Sequence, residues 1–320
     1  MPGTPLVSIV IPTFNGASFI AQSLESVQSQ TFQDFEVIIA DDGSTDDTAV
    51  VARKFCAADA RFTLVQQDNR GVSAARNAAI ERAQGEFIAF LDHDDLWLPG
   101  KLSRQLKLFQ ADLGANFSFT NYYYWDGRRD LSVRYRDNQP LPEGDASSRL
   151  VYSNVYGMST VVVRHETISA TGGFNEGLFD GCEDWDMWLR IAEHGFRACG
   201  TREPLTRYRR WSGNMSNHKL QMAENDVRVL ERNFRATQRP ELRPHYQRSL
   251  AFASGRLELA RARRLLNAQP DAVPAAVWRA WRFYPRRLKW LMWYGLVAWP
   301  KLLGGCATAR VIHRKLIRKW

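Results

Sequence analysis

From Leu6 to Asp92 the chain alternates between two rhythms of apolar residues. "LVSIVIPTF" (6–14) is almost continuously apolar, the pattern of a strand covered on both faces. "ASFIAQSLESVQSQ" (17–30) places Phe19, Ile20, Leu24 and Val27 at helical spacing. "FEVIIADDGS" (35–44) reads as a second buried strand. Ser44 and Asp47 are spaced as a capping box for the helix "TDDTAVVARKFCA" (45–57). "RFTLVQQ", "VSAARNAAIERAQ" and "EFIAFLD" continue as strand, helix and strand. Strands alternating with helices of this length predict right-handed crossovers and a Rossmann-like, mostly parallel sheet.

Farther on, "NFSFTNYYYW", "GMSTVVVR" and "LTRYRRW" read as strands and "EDWDMWLRIAEHG" as an amphipathic helix. After about residue 216 the pattern turns helical. Within it "SLAFASGRLELARARRLLNAQ" resembles a single helical hairpin of a tetratricopeptide-like repeat, with no second copy at a fixed period. The expected organisation is an α/β domain over 1–216 and a smaller helical region over 217–320.

Ligands of open parallel sheets bind beyond the carboxyl ends of the strands. Here three such ends carry polar or acidic residues: Phe14 and Asn15, Asp41 and Asp42, and the run Asp92-His93-Asp94-Asp95. Carboxylates this close repel one another, and each is costly to desolvate without a cation or donor. A buried strand leading in and "LWLP" leading out make a freely solvated acidic loop the poorer reading. A cationic partner is expected. The spacing of Asp92 and Asp94 puts both on one face of an extended chain. Hard ions such as Mg²⁺ or Mn²⁺ suit one or two carboxylates plus phosphate.

The 320 residues carry a net charge of +9, and the excess is local. From Ala272 to Trp320 there are 11 Lys and Arg and no Asp or Glu, and six of the 11 tryptophans lie in the same stretch. The remainder is close to neutral, so a nucleic-acid partner is not expected. Cys56, Cys182, Cys199 and Cys306 are far apart with no CxxC pair, which excludes a zinc or disulfide framework and fits a reducing compartment. "MPGTPLVSIVIPTF" lacks a basic leader and reaches Pro12 too soon for a signal peptide.

Residues 6–215 resemble the family 2 glycosyltransferases of the A-type (nucleotide-diphospho-sugar transferase) fold. The stretches that carry the resemblance, in the family's order, are "VSIVIPTFNGASFIAQSLESVQSQTFQDFEVIIADDGSTDDT", "NRGVSAARNAAIERAQGEFIAFLDHDD" and "EDWDMWLR". The resemblance implies inverting transfer of a sugar from a nucleotide-sugar donor, usually a UDP-sugar, with Mn²⁺ or Mg²⁺. It makes Asp94 the direct metal ligand, with Asp92 at the ribose or a metal-bound water. Asp42 becomes the acceptor for the uracil imide N–H, and Asp41 holds the turn before Gly43. Pro12, Phe14 and Asn15 match the element lining the nucleoside, with Phe14 either stacking there or packing in the core. Arg70 and Arg76 are candidates for uracil or diphosphate contacts, and His93 for a donor contact or a spacer. The general base falls in the pair Glu183 and Asp184, with Asp184 preferred and Asp186 on another helix face. Trp185 and Trp188 beside them are either an acceptor-sugar platform or core. "YRRWSGNMS" resembles the segment closing over the donor, and its departure from Q-x-x-R-W argues against long-polymer synthesis.

Rival readings explain less. A nucleotidyltransferase needs a basic glycine-rich loop that "PTFNGASF" lacks, and a two-metal phosphatase needs further His or Asp ligands. A non-enzymatic membrane-surface protein leaves the acidic rim unexplained. The expected acceptor is a glycan or a lipid-linked glycan at the cytoplasmic face of the membrane. "WLMWYGLVAWPKLL" is too short to span a bilayer, so 272–320 either docks on an anionic membrane surface or packs as a hairpin on the catalytic domain.

Overall fold

The computed structural model describes residues 3–135, 139–178, 181–269 and 272–283. Its strands, in chain order, are β1 (Val7–Thr13), β2 (Phe35–Asp41), β3 (Phe62–Gln66), β4 (Phe87–Phe90), β5 (Leu96–Trp97), β6 (Ala115–Trp125), β7 (Asp130–Val133), β8 (Val161–Arg164) and β9 (Arg197–Arg209). The helices are α1 (Ile20–Gln28), α2 (Thr48–Ala58), α3 (Val72–Ile80), α4 (Lys101–Ala111), α5 (Ser147–Tyr152), α6 (His165–Thr171), α7 (Glu183–Glu193), α8 (Lys219–Ala236), α9 (Arg243–Ala268) and α10 (Val273–Phe283). Contacts divide the chain into two compact units. One holds 1–217 with 237–242, and the other holds 218–236 with the chain from Arg243 onward.

The first unit is one mixed sheet in the order β3-β2-β1-β4-β8-β6-β9-β5, with β7 beside β6. β1, β2, β3 and β4 are parallel; β1 and β4 are buried along their whole length, as strands covered on both faces are, while the edge strand β3 exposes Thr63 and Gln66. β8 then pairs antiparallel with β4 and β6, and beyond it β6 and β9 run parallel to each other, so β8 is an antiparallel insertion that makes the sheet mixed. Every residue of β1 is buried, and Ile9, Ile11, Leu24, Val37, Ile39, Ala89 and Leu91 share one core. The chain leaves β1 toward β2 on one side and returns to β4 on the other. That reversal opens a crevice beyond the carboxyl ends of β1 and β4.

Two local expectations differ from the structure. Ser44 does not cap α2. Its Oγ accepts the Asn15 N–H (2.9 Å), while Asp46 accepts the N–H of Thr48 (3.0 Å) at the start of the helix. The strand-end loops have unpaired amides to satisfy, and this demand outweighs the local cap. In the second unit, the stretch expected as a helical hairpin lies within one continuous 26-residue helix, α9. Ser254 and Gly255 are its only weak points, and the surrounding Ala, Leu and Arg carry the helix through them.

Candidate active site

Four side-chain-to-backbone bonds join the loops that follow β1 and β2. The N–H groups of Asn15, Gly16 and Ala17 donate to Ser44 Oγ (2.9 Å), Thr48 Oγ1 (2.8 Å) and Asp46 Oδ2 (3.1 Å). In return the Thr45 N–H donates to Asn15 Oδ1 (2.8 Å). Asn15 adopts φ 49°, a left-handed conformation that asparagine tolerates. Gly16 has no alternative: a Cβ there would stand 2.5 Å from His93 Cδ2. His93 is thereby seated against the β1 loop, and its carbonyl accepts the Ser23 hydroxyl (2.7 Å).

A cavity of about 820 Å³ lies beyond these loops. Pro12, Phe14, Asn15, Asp42, Arg70, Arg76, Asp92, His93, Asp94 and Glu183 all line it. Phe14 is 44% exposed and so is not a core aromatic. The Asp42 carboxylate accepts from Gln67 Nε2 (2.7 Å) and from the N–H groups of Arg70 (2.9 Å) and Gly71 (2.8 Å). A carboxylate has about four acceptor positions, so one remains. Asp41 is fully buried and serves the turn, accepting the Ser44 N–H and Gln66 Nε2. Arg70 extends outward to pair with Glu176 (2.8 Å).

Arg76 joins the two acidic clusters. Its Nη1 donates to Glu183 (2.6 Å) and its Nη2 to Asp92 (2.7 Å), with the side chain only 3% exposed. Burial opposes its charge, yet Asp92 and Glu183 outweigh that and hold the guanidinium above the ordinary arginine range. One N–H of each Nη is thus taken by a protein carboxylate, while Arg76 still lines the cavity and its Nε has no hydrogen-bond partner among the described residues. Arg76→Met is expected to destabilise the fold by roughly 3–5 kcal/mol, because it strands Glu183 without a counter-charge. Urea unfolding of the variant checks this, and an unchanged midpoint refutes it.

Asp94 faces the cavity through a different set of contacts. Its Oδ2 accepts from Trp211 Nε1 (2.8 Å) and Asn214 Nδ2 (3.4 Å). Burial raises its pKa; His93 opposes that shift and Asp92 adds to it. Asp95 is structural instead. Buried to 1%, it accepts the Arg209 N–H (2.9 Å) and the Ser159 hydroxyl (2.6 Å), tying β9 and the turn before β8 to the acidic loop. Ser159 Oγ also accepts the Asp92 N–H (3.0 Å). Sequence reasoning had assigned Ser159 nothing, and no local pattern marks it.

The acidic pair opening α7 divides its tasks. Glu183 lines the cavity beside Arg76, whereas Asp184 lies outside that lining and accepts Asn154 Nδ2 (2.7 Å). Burial and the neighbouring Glu183 push the Asp184 carboxyl up to about 7. Asp186 is fully buried and pairs with Arg190 (2.9 Å), which also donates to the Gly173 carbonyl (2.7 Å). Trp185 and Trp188 are core: the Trp185 indole donates to the Leu150 carbonyl (2.7 Å), and Trp188 packs edge-on to Phe117. The end of β9 and the segment after it supply the outer wall through Tyr208, Trp211, Gly213, Asn214, Met215 and Ser216.

The family model "Glycosyl transferase family 2" matches residues 8–162. A putative teichuronic acid biosynthesis glycosyltransferase, TuaG of Bacillus subtilis, is 34% identical over 227 residues, spanning 69% of this chain and 85% of the relative. The chain belongs to glycosyltransferase family 2. The UDP-Glc:α-D-GlcNAc-diphosphoundecaprenol β-1,3-glucosyltransferase WfaP of Escherichia coli is also 34% identical, over 71% of this glycosyltransferase and 86% of its own length. Among solved structures, S. aureus TarS 1–349 in complex with UDP-GlcNAc aligns with TM-score 0.66 at 20% identity, covering 94% of this chain and 93% of that one. A mannosyltransferase from Pyrobaculum calidifontis in complex with GDP-Man and Mn²⁺ aligns with TM-score 0.62 at 21% identity, covering 98% and 84%. At these identities the two structures establish the shared fold of the glycosyltransferase, an α/β sheet followed by a helical region.

Proposed function

We propose that this glycosyltransferase moves a sugar, with inversion, from a UDP-sugar to a hydroxyl of a glycan or lipid-linked acceptor in cell-surface polysaccharide synthesis. The observation that carries the reading is the convergence of Asp42, Asp92, Asp94 and Glu183 on one cavity at the carboxyl ends of β1, β2 and β4. The relatives that act in teichuronic acid biosynthesis and on a diphosphoundecaprenol-linked sugar support the cell-surface setting.

A divalent cation fits beside Asp94. Asp94 lines the cavity with neutral donors, Trp211 and Asn214, on its Oδ2, and Arg76 already neutralises part of Asp92. No group of three or more His, Cys, Asp or Glu side chains among the described residues forms a closed metal cage. That suits an ion shared with a diphosphate, since Mg²⁺ and Mn²⁺ sites often use one or two carboxylates plus phosphate oxygens and water. Asp94, with Asp92 near it, would hold the ion, whose charge would offset that building on the departing diphosphate.

The remaining work belongs to side chains of this chain. Asp42 keeps one acceptor position for the uracil imide N–H, and Phe14 offers an exposed ring to the base. In a single displacement the acceptor oxygen bonds to the anomeric carbon as the bond to the diphosphate breaks. The acceptor proton passes to Asp184, whose raised pKa matches a base working near neutrality. Thermal shift with a panel of nucleotide sugars and Mn²⁺ tests the donor assignment. UDP-sugars are expected to stabilise the protein by RT ln(1 + [L]/Kd), about 2.7 kcal/mol at a hundredfold excess over Kd. Equal stabilisation by GDP-sugars would remove Asp42 from base recognition.

The stretch 272–320 is part of the same proposal, as a dock on an anionic membrane surface. Residues 284–320 lie outside the described residues. α10 exposes Trp278 (46%) and Phe283 (47%), and no described helix is long and apolar enough to cross a membrane. Trp favours the headgroup boundary, and basic residues add attraction to anionic lipid. In liposome flotation, binding is expected to need anionic lipid, to weaken with salt and to vanish on deletion of 272–320. A full-length protein that ignores liposomes overturns this.

A further inference from the structure

Tyr122 and Tyr124 stand on one face of β6, and Tyr208 of β9 is the register partner of Tyr124. The three rings form a triangle with centroids 5.2 Å (122–124), 5.9 Å (122–208) and 6.0 Å (124–208) apart. The hydroxyls of Tyr122 and Tyr124 meet at 3.4 Å, and that of Tyr208 lies 3.4 Å from Ser216 Oγ. All three residues are half-buried, unlike the closed aromatic core around Trp188. Cations flank them: the Arg210 guanidinium lies 5.5 Å from the centre of the Tyr124 ring, and Arg134 donates its backbone N–H to the Tyr122 carbonyl (3.0 Å), with its guanidinium 5.5 Å from the Tyr135 ring.

One side of this patch borders the proposed donor cavity. Tyr208 is also a wall of the donor cavity. On the other side the ring of Tyr122 rests on Gly157, where a Cβ would stand 3.3 Å from its Cε1. Three residues before Gly157, Asn154 holds Asp184. The patch thus presents aromatic faces, phenolic hydroxyls and guanidinium groups that the proposed reaction leaves without a task.

We propose that Tyr122, Tyr124 and Tyr208, with Arg134 and Arg210, form the acceptor subsite, and that it takes a pyranose carrying an adjacent anionic group. The proposal rests on the transferase reading above and names the acceptor chemistry for it. The C–H face of a pyranose packs on aromatic rings, the ring hydroxyls meet the tyrosine hydroxyls, and guanidinium groups bind carboxylate or phosphate oxygens in pairs. The anion comes either from a diphosphate linking the sugar to a carrier or from a uronic acid.

Binding of hexyl N-acetylglucosaminyl diphosphate, hexyl glucuronide and hexyl glucoside to the full-length protein, with UDP and Mn²⁺ present, tests this by saturation-transfer NMR titration. At least one anionic probe is expected to bind about tenfold more tightly than the glucoside, and the better of the two identifies the source of the anion. Arg210→Ala, at an exposed position, should abolish that preference. Tyr124→Leu should weaken every probe about tenfold while UDP still binds. Equal affinity for neutral and anionic probes, no binding of any probe, or an unchanged preference in Arg210→Ala overturns the subsite. Probe binding by a wild-type protein that fails to bind UDP would instead sink the donor reading and sustain the subsite.

Discussion

Asp94→Ala is expected to abolish sugar transfer, a loss of at least about 10³-fold in kcat/KM, in a protein that remains folded. The size follows from removing several kcal/mol of charge stabilisation at the leaving diphosphate. The fold survives for a local reason. Asp94 is disfavoured as an anion by burial, with Asp92 beside it, so its removal relieves repulsion. The donors it leaves, Trp211 Nε1 and Asn214 Nδ2, line the open cavity, where water replaces the lost acceptor. Steady-state turnover at saturating Mn²⁺, with far-UV circular dichroism as the fold control, checks both halves. Near-normal turnover would remove Asp94 from the reaction centre.

The second large effect is at Asp184. Asp184→Asn should lower kcat by about 10² to 10⁴, the usual contribution of a general base, and leave UDP binding intact. Its carboxyl titrates at about 7, raised by burial and then by Glu183. The base works only when ionised, so kcat/KM of the native enzyme should rise about tenfold per pH unit up to about 7 and then level off. The variant should lose that limb. Stability runs the opposite way. A carboxyl raised in the folded state favours folding while protonated, and that contribution is lost as pH climbs through about 7. Asp184→Asn should therefore melt higher than native above pH 7. Asn154 Oδ1, buried without a partner, can accept from the new amide after a flip of the Asn154 side chain. Lost UDP binding with unchanged turnover would transfer Asp184 to the donor site.

Much of the site was legible in the sequence because its residues sit where strands end, and strands announce themselves by local apolar runs. Phe14, Asp42, Asp92 and Asp94 reached one cavity as expected, since parallel strands deliver their carboxyl ends to a common rim. Ser44 and Trp188 were less legible, because their tasks depend on partners brought close only by folding. A serine three residues before an acid looks like a cap, yet Ser44 answers an amide 29 positions away. A tryptophan beside two acids looks like a sugar platform, yet Trp188 is sealed between Phe90 and Phe117.

The sequence by itself determined the alternating strands and helices, the acidic strand ends and the family, because each is written in periodicity or contiguous motif. Only the tertiary structure decided which charges face which. Arg76 on α3 reads as a candidate for a uracil or diphosphate contact, and the structure adds that it bridges Asp92 and Glu183, which lie 16 and 107 positions away. Lys101, at the start of α4, carries a charge that water would readily solvate. It is instead fully buried over the Trp97 ring (4.1 Å), donating to Gln105 (2.6 Å), and burial pushes its pKa well below the lysine range. A backbone pattern repeats every two or 3.6 residues and can be read along the chain. Burial of a side chain is decided by what the folded sheet packs over it, and a buried guanidinium such as Arg76 is tolerated only because carboxylates from distant segments meet it there.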